Sequence, residues 1–275
     1  AAGSAVGLGN IWRFPYLTGE NGGGAFVLVY LICVILIGLP LLYNEIGLGR
    51  FTGKNPIGAV KALNKKGPLA GLPWWLTGLL CLLVCFFVLS YYSVIAGWTI
   101  GYIYYTVAGT EVNFAEFIGD SGKVIPLLGV FMLMTIGIVL GGVSGGIEKA
   151  AKILMPMLLI IVVCLIGYSL TLDGAMAGVE YYLTPDLSKI NGDVVLAALG
   201  QAFFSMSVGW GLMVTYGSYL PKDQNMVSAG AWVAFADTMV ALLGGLMIFP
   251  AVFAFSKDPA GGPTLVFQVL PEVFS

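Results

Sequence analysis

The chain of 275 residues is 59% hydrophobic and only 9% charged, with a net charge of −2 and no histidine. A water-soluble domain of this length carries roughly 25% charged residues, so most of this surface must face lipid, and no basic patch offers itself to nucleic acid. The lack of histidine removes imidazole-based triads and metal cages, and no nucleophile–base pair stands out, so the composition argues against an enzyme.

The first apolar segment, residues 1–14, is short and interrupted by Gly7-Leu-Gly9, followed by Asn10 and Arg13. Runs long enough to cross a bilayer follow at about 25–48, 74–108, 124–141, 150–172, 194–219 and 226–255, predicting seven spans. The third is long enough to tilt strongly or to project beyond the bilayer. Turn-rich pieces separate them, among them Glu20-Asn-Gly-Gly-Gly24, Lys65-Lys-Gly-Pro68, Gly141-Gly-Val-Ser-Gly-Gly146 and Leu183-Thr-Pro-Asp186. After the seventh span, Leu270-Pro-Glu-Val-Phe-Ser275 reads as a re-entrant or loop-like piece. A start without methionine, inside a span, reads as an internal piece of a longer protein.

Charge sets the expected orientation. Arg50, Lys54, Lys61, Lys65, Lys66, Lys149, Lys152 and Lys222 fall on one side of the seven spans, against Lys123, Lys189 and Lys257 on the other. That bias places the richer side in the cytoplasm. Cys33, Cys81, Cys85 and Cys164 all lie inside apolar runs and read as small buried thiols rather than as a disulfide or metal framework.

Two spans contain paired glycines, Gly7-Leu-Gly9 in the first and Gly209-Trp-Gly211 in the sixth. In a membrane helix such pairs serve either close packing or local unwinding. Unwound backbone in a bilayer is costly unless it lines a cavity or binds something. The two breaks occupy corresponding places in two five-helix halves, which points to a midplane binding site of an inverted-repeat transporter. Half-helix N-termini there face anionic groups, and freed carbonyls suit a hard cation such as sodium.

Ala5-Val-Gly-Leu-Gly-Asn-Ile-Trp-Arg-Phe-Pro15 with Glu20-Asn-Gly-Gly-Gly-Ala-Phe26 resembles the signature of the neurotransmitter:sodium symporter family. Gly200-Gln-Ala-Phe-Phe-Ser-Met-Ser-Val-Gly209 resembles its sixth-helix signature, and Ile147-Glu-Lys-Ala-Ala-Lys-Ile-Leu-Met-Pro156 its fifth-helix start. The resemblance runs the length of the chain. It implies an all-α polytopic membrane protein of the leucine-transporter-like 5+5 inverted-repeat fold, incomplete at seven helices. Residues 1–275 then form one transporter domain, with 1–172 as the first repeat and 193–275 as the start of the second. The implied activity is sodium-coupled symport of a neutral, hydrophobic or small amino acid by alternating access in a bacterial cytoplasmic membrane. The alternative is a transport-inactive relative acting as an amino acid sensor or a membrane interaction protein.

The resemblance also assigns residues. A first sodium site takes the Ala5 carbonyl, Asn10, Ser205 and Asp237; a second, partial in this chain, takes the Gly3 and Val6 carbonyls. The amino acid is lined by Ala5, Gly7, Leu8, Gly9, Val88, Tyr92, Phe204, Ser207 and Trp210. Val88, Tyr92 and Ile95 share one face of the third span. Gly7 stands where monoamine members carry Asp, favouring a substrate that brings its own carboxylate to the first sodium and Tyr92. Arg13, Gln201 and Phe204 resemble an outer gate, and Glu45 either accepts hydrogen bonds from the sixth-span break or snorkels to the interface. Tyr30, Gln201, Ser205 and Ala241 match a chloride site whose serine is replaced by Ala241, while Asp237 stands where Asn is common. Asp237 is therefore expected either to supply the charge that chloride supplies elsewhere, making chloride unnecessary, or to sit protonated against a neighbouring helix.

Overall fold

The computed structural model describes residues 6–64, 72–110 and 113–274, and among them no strand occurs. Five helices among these residues are long and apolar enough to cross a membrane: α2 (Gly24–Thr52), α4 (Trp75–Val107), α6 (Ser121–Leu140), α7 (Val143–Ser169) and α11 (Met226–Ala254). The other two expected spans are the interrupted ones. The first enters as a π-turn, Gly9–Arg13, that runs into Phe14–Glu20; together these form α1. The sixth is split into α9 (Gly192–Ser205) and α10 (Leu212–Ser218). The 33 residues of α4 reach about 50 Å at 1.5 Å per residue, well beyond a ~30 Å hydrocarbon core.

Shorter helices fill the loops: α3 (Pro56–Leu63), α5 (Phe114–Gly119), α8 (Ala175–Leu183) and α12 (Leu265–Phe274). Asn55 and Asn113 start α3 and α5 by accepting the Gly58 and Ala115 N–H groups at 2.8 and 2.9 Å. The stretch expected to be loop-like after the seventh span is helical over α12. Its Leu265, Val266, Val269 and Val273 recur at helical spacing and are buried with Phe267. Pro271 costs that helix a single bond, while the apolar face supplies its packing. The Trp12 indole N–H donates to the Pro263 carbonyl at 2.8 Å and ties the approach to α12 onto α1.

Proline also explains two π-turns. In α1 the Phe14 N–H reaches back past Asn10 to the Gly9 carbonyl, and Pro15 follows directly. In α2 the Leu39 N–H reaches Val34, and Pro40 follows. A proline ring crowds the carbonyl four residues earlier and cannot donate to it, and an extra residue in the turn relieves the clash.

Two apolar clusters form the core. One gathers Phe14, Phe26, Tyr30, Met206 and Phe249, and the other gathers Trp12, Ile248, Leu265 and Phe267. By contrast α6 buries no residue, and Leu133, Ile153 and Ile160 stand 70%, 61% and 64% exposed. Such faces are stable only against lipid or further helices, so the chain is a membrane protein. The cysteines divide: Cys33 is buried, Cys81 and Cys85 half-buried, and Cys164, expected inside, is exposed on α7 because its helix face looks outward.

The second half of the sixth span, α10, lies on α2 as closely as backbones allow. A Cβ at Gly49 would overlap the Val214 carbonyl oxygen, and one at Gly217 the Ile46 carbonyl. Gly49→Val in the full-length protein is expected to cost at least about 2 kcal/mol through this overlap, read as a lowered unfolding temperature in detergent. An unchanged unfolding temperature would contradict this contact.

Candidate functional site

The sixth-span break runs from Met206 to Gly211. Ser207, Gly209 and Gly211 adopt left-handed backbone, at φ 56°, 91° and 74°. Glycine does this without a Cβ clash, so the Gly209-Trp-Gly211 pattern permits the turn; Ser207 takes the strain at a buried position. The Gly209 N–H freed by the break donates to Glu45 Oε1 at 2.5 Å. Around the first-span break, Tyr92 Oη accepts the Gly9 N–H at 3.1 Å, Gln201 Nε2 donates to the Gly9 carbonyl at 2.9 Å, and Asn10 Oδ1 accepts the Gly7 N–H at 2.9 Å.

Between the two breaks sits a closed polar cluster. Asn10 Nδ2 donates to Ser205 Oγ at 3.1 Å, to the Asp237 carbonyl at 2.9 Å and to Asp237 Oδ1 at 2.7 Å. Ser205 Oγ also donates to Asp237 Oδ1, at 2.9 Å. Asn10 and Asp237 are fully buried and Ser205 nearly so. Asp237 Oδ2 is buried without a hydrogen-bond partner among the described residues, and the Tyr30 hydroxyl lies close to Ser205, Thr238 and Asp237. A buried carboxyl oxygen left unpaired is costly unless something charged or polar satisfies it. Asn10, Ser205 and Asp237 together bring side-chain and backbone oxygens to one buried place, the ligand type that a hard cation takes.

Beside this cluster opens a cavity of about 360 Å³ lined by Val6, Gly7, Gly9, Val88, Tyr92, Phe204, Ser205, Ser207 and Trp210. Phe204 packs on Tyr92 and Trp210, with ring centroids 6.1 and 5.2 Å apart. Above it the Arg13 guanidinium stands 4.7 Å over the Phe204 ring and donates through Nη1 to Gln201 Oε1. Gly7 is tight against the wall, since a Cβ there would lie 3.3 Å from Tyr92 Oη. Ala241 is buried in the core one turn beyond Asp237 on α11.

Several expected residues fall elsewhere. Leu8 lines a second, apolar cavity of about 370 Å³ with Trp12, Tyr102 and Phe267, because it points away from its glycine neighbours. Ile95 is buried beside Trp12 and Val162 in the apolar core rather than on the cavity. Ala5 and Gly3 lie outside the described residues. Conversely Cys85, Leu89 and Leu212 line the cavity unforeseen. Cys85 and Leu89 continue the Val88–Tyr92 face at helical spacing, so extending that periodicity by one turn would have found them.

A family model described as the sodium:neurotransmitter symporter family matches residues 1–116 and 105–272. The sodium-dependent transporter YhdH of Bacillus subtilis is 44% identical over 283 residues, spanning 100% of this chain and 62% of that protein. The sodium-dependent neutral amino acid transporter B(0)AT2 of Mus musculus is 30% identical, over 93% of this chain and 39% of its own length. The crystal structure of MhsT in complex with L-phenylalanine superposes with a TM-score of 0.92 at 44% identity, covering 99% of this chain and 63% of that one. This chain thus spans less than two thirds of these proteins' lengths, over a stretch that carries both broken helices in the leucine-transporter-like fold. With its fold, its two breaks and its signature stretches in agreement, the chain belongs to the sodium:neurotransmitter symporter family.

Proposed function

We propose that the full-length protein couples sodium entry to uptake of a neutral amino acid by alternating access, with ion and substrate held at the breaks of the first and sixth spans. The observation that carries this is the meeting of Asn10, Ser205 and Asp237, from three distant segments, beside a cavity walled by both breaks. The first sodium would be held by the Ala5 carbonyl, Asn10, Ser205 and Asp237, and a second in part by the Gly3 and Val6 carbonyls. The substrate carboxylate would meet that first sodium and Tyr92, and its side chain would lie among Val88, Phe204, Ser207 and Trp210.

The walls are largely apolar and aromatic, which supports a hydrophobic amino acid, with a small one as the narrower case if Trp210 shortens the space. The neutral amino acid named for B(0)AT2 and the phenylalanine held by MhsT agree with that class. Arg13, Gln201 and Phe204 would close the outer path. The buried Asp237 carboxylate, beside Tyr30 and Ser205 and with Ala241 in place of a serine, would make chloride unnecessary. Residues 1–172 would form one repeat and 193–275 the start of its inverted counterpart. Alternating access would rock the first, second, sixth and seventh spans against the third and fourth, in a bacterial cell membrane with the lysine-rich side in the cytoplasm.

Tyr92→Phe tests the substrate pose. It removes both the acceptor for the Gly9 N–H and the donor for the substrate carboxylate, so sodium-dependent amino acid affinity is expected to fall at least about tenfold. Wild-type affinity in equilibrium binding to the full-length variant would rule out this pose.

A further inference from the structure

The break between α9 and α10 frees carbonyls as well as N–H groups, and two of the carbonyls face sulfur. Cys85 Sγ lies 3.4 Å from the Trp210 carbonyl oxygen and Cys81 Sγ 3.7 Å from that of Gly209. Both thiols stand on α4 four residues apart, and so on one helix face. In an unbroken helix these oxygens would accept from the Met213 and Val214 N–H groups. The left-handed Gly209 and Gly211 turn them aside, and among the described residues no backbone N–H reaches either oxygen. An unmet carbonyl inside a membrane is costly, so the thiols take a place that the fold cannot leave empty.

The approach is close as well as polar. A Cβ at Gly211 would lie 2.6 Å from Pro56 Cγ and 3.2 Å from Cys81 Cβ, so the break is pressed against α4 and α3 as tightly as glycine permits. The holds on the two sides differ in strength. Glu45 on α2 accepts the Gly209 N–H at 2.5 Å through a carboxyl oxygen, a stronger acceptor–donor pairing than a thiol supplies. A thiol is a weak donor. Together with the Gly49 and Gly217 contacts, this fixes the lower part of the sixth span firmly to α2 and fastens it only lightly to α4.

We propose that Cys81 and Cys85 are positioning residues of the transport cycle, whose thiols fasten the Gly209–Trp210 backbone to α4 by bonds weak enough to exchange as the break changes shape. Trp210 walls the cavity, so the peptide unit that Cys85 holds sets the orientation of that wall. The proposal rests on the symport reading of this cavity.

The test uses the full-length protein in proteoliposomes with the variants C81A/C85A and C81S/C85S. In infrared spectra the wild type should show an S–H stretching component lowered in frequency by hydrogen bonding, and C81A/C85A should lose it. The alanine pair should weaken sodium-dependent amino acid binding about fivefold. The serine pair should restore binding to within about twofold, because hydroxyls donate to the same carbonyls, yet turn over about fivefold more slowly because they let go less readily. A wild type without the lowered S–H component, an alanine pair with wild-type binding, or a serine pair with wild-type turnover would each overturn the proposal. A wild type without sodium-dependent uptake would overturn the symport reading and the cycle role with it; a persisting S–H component separates that failure from a failure of the thiol contacts.

Discussion

In the full-length protein, Asp237→Asn is expected to cut chloride-free, sodium-driven amino acid uptake at least about tenfold, and to make the remainder respond to added chloride. The substitution keeps an oxygen and the shape of the side chain but deletes its charge. In the structure that carboxylate accepts from the Asn10 amide at 2.7 Å and from Ser205 Oγ at 2.9 Å, with its second oxygen buried and unpartnered among the described residues. A sodium ion held at this cluster, as proposed, would bring a positive charge into a fully buried place, and an Asp237 carboxylate would offset it. Without that charge a mobile anion must serve. Measuring initial uptake in chloride and in gluconate separates the cases; unchanged uptake in gluconate would remove the charge-replacing role from Asp237.

Gly7→Asp is expected to weaken amino acid binding at least about 100-fold. A Cβ at Gly7 would lie 3.3 Å from Tyr92 Oη, so the added carboxylate enters the place assigned to the substrate carboxylate. Two like charges about 4 Å apart repel by about 4 kcal/mol at an effective dielectric of about 20, more than the 100-fold loss needs. The same change should raise the relative affinity for the decarboxylated amine of the same side chain, since the protein now supplies the carboxylate that such a ligand lacks. Competition binding in sodium with the amino acid and its amine reads both effects, and an amino acid affinity equal to wild type would contradict the pose.

The long spans were legible because apolar length is itself the requirement for crossing a bilayer, and α2, α4, α6, α7 and α11 fall within or close to the apolar runs. The sixth-span break was legible in Gly209-Trp-Gly211, where φ of 91° and 74° demands glycine. Short helices such as α3 and α8 were not, because their eight and nine residues hide among turn residues, and the Asn55 cap of α3 and the packing of both stabilise them rather than apolar length. Two of the π-turns have a signal in the sequence, the prolines at 15 and 40, whereas the third, Val143–Ile147 at the start of α7, has none. The union of Asn10 with Asp237 spans 227 residues, beyond any local periodicity, so only family resemblance could bring the two together from sequence. Leu8 shows the reverse limit: a signature position next to two cavity glycines still faces another cavity, because neighbouring residues in a turn point apart.

The most direct measurement is uptake of labelled neutral amino acids by the full-length protein in proteoliposomes under an imposed inward sodium gradient. Coupled symport at the two breaks predicts accumulation above the external concentration only while the gradient lasts, with loss on its collapse or on replacing sodium by potassium. Sodium-dependent binding without accumulation would contradict it and identify a sensor instead of a transporter.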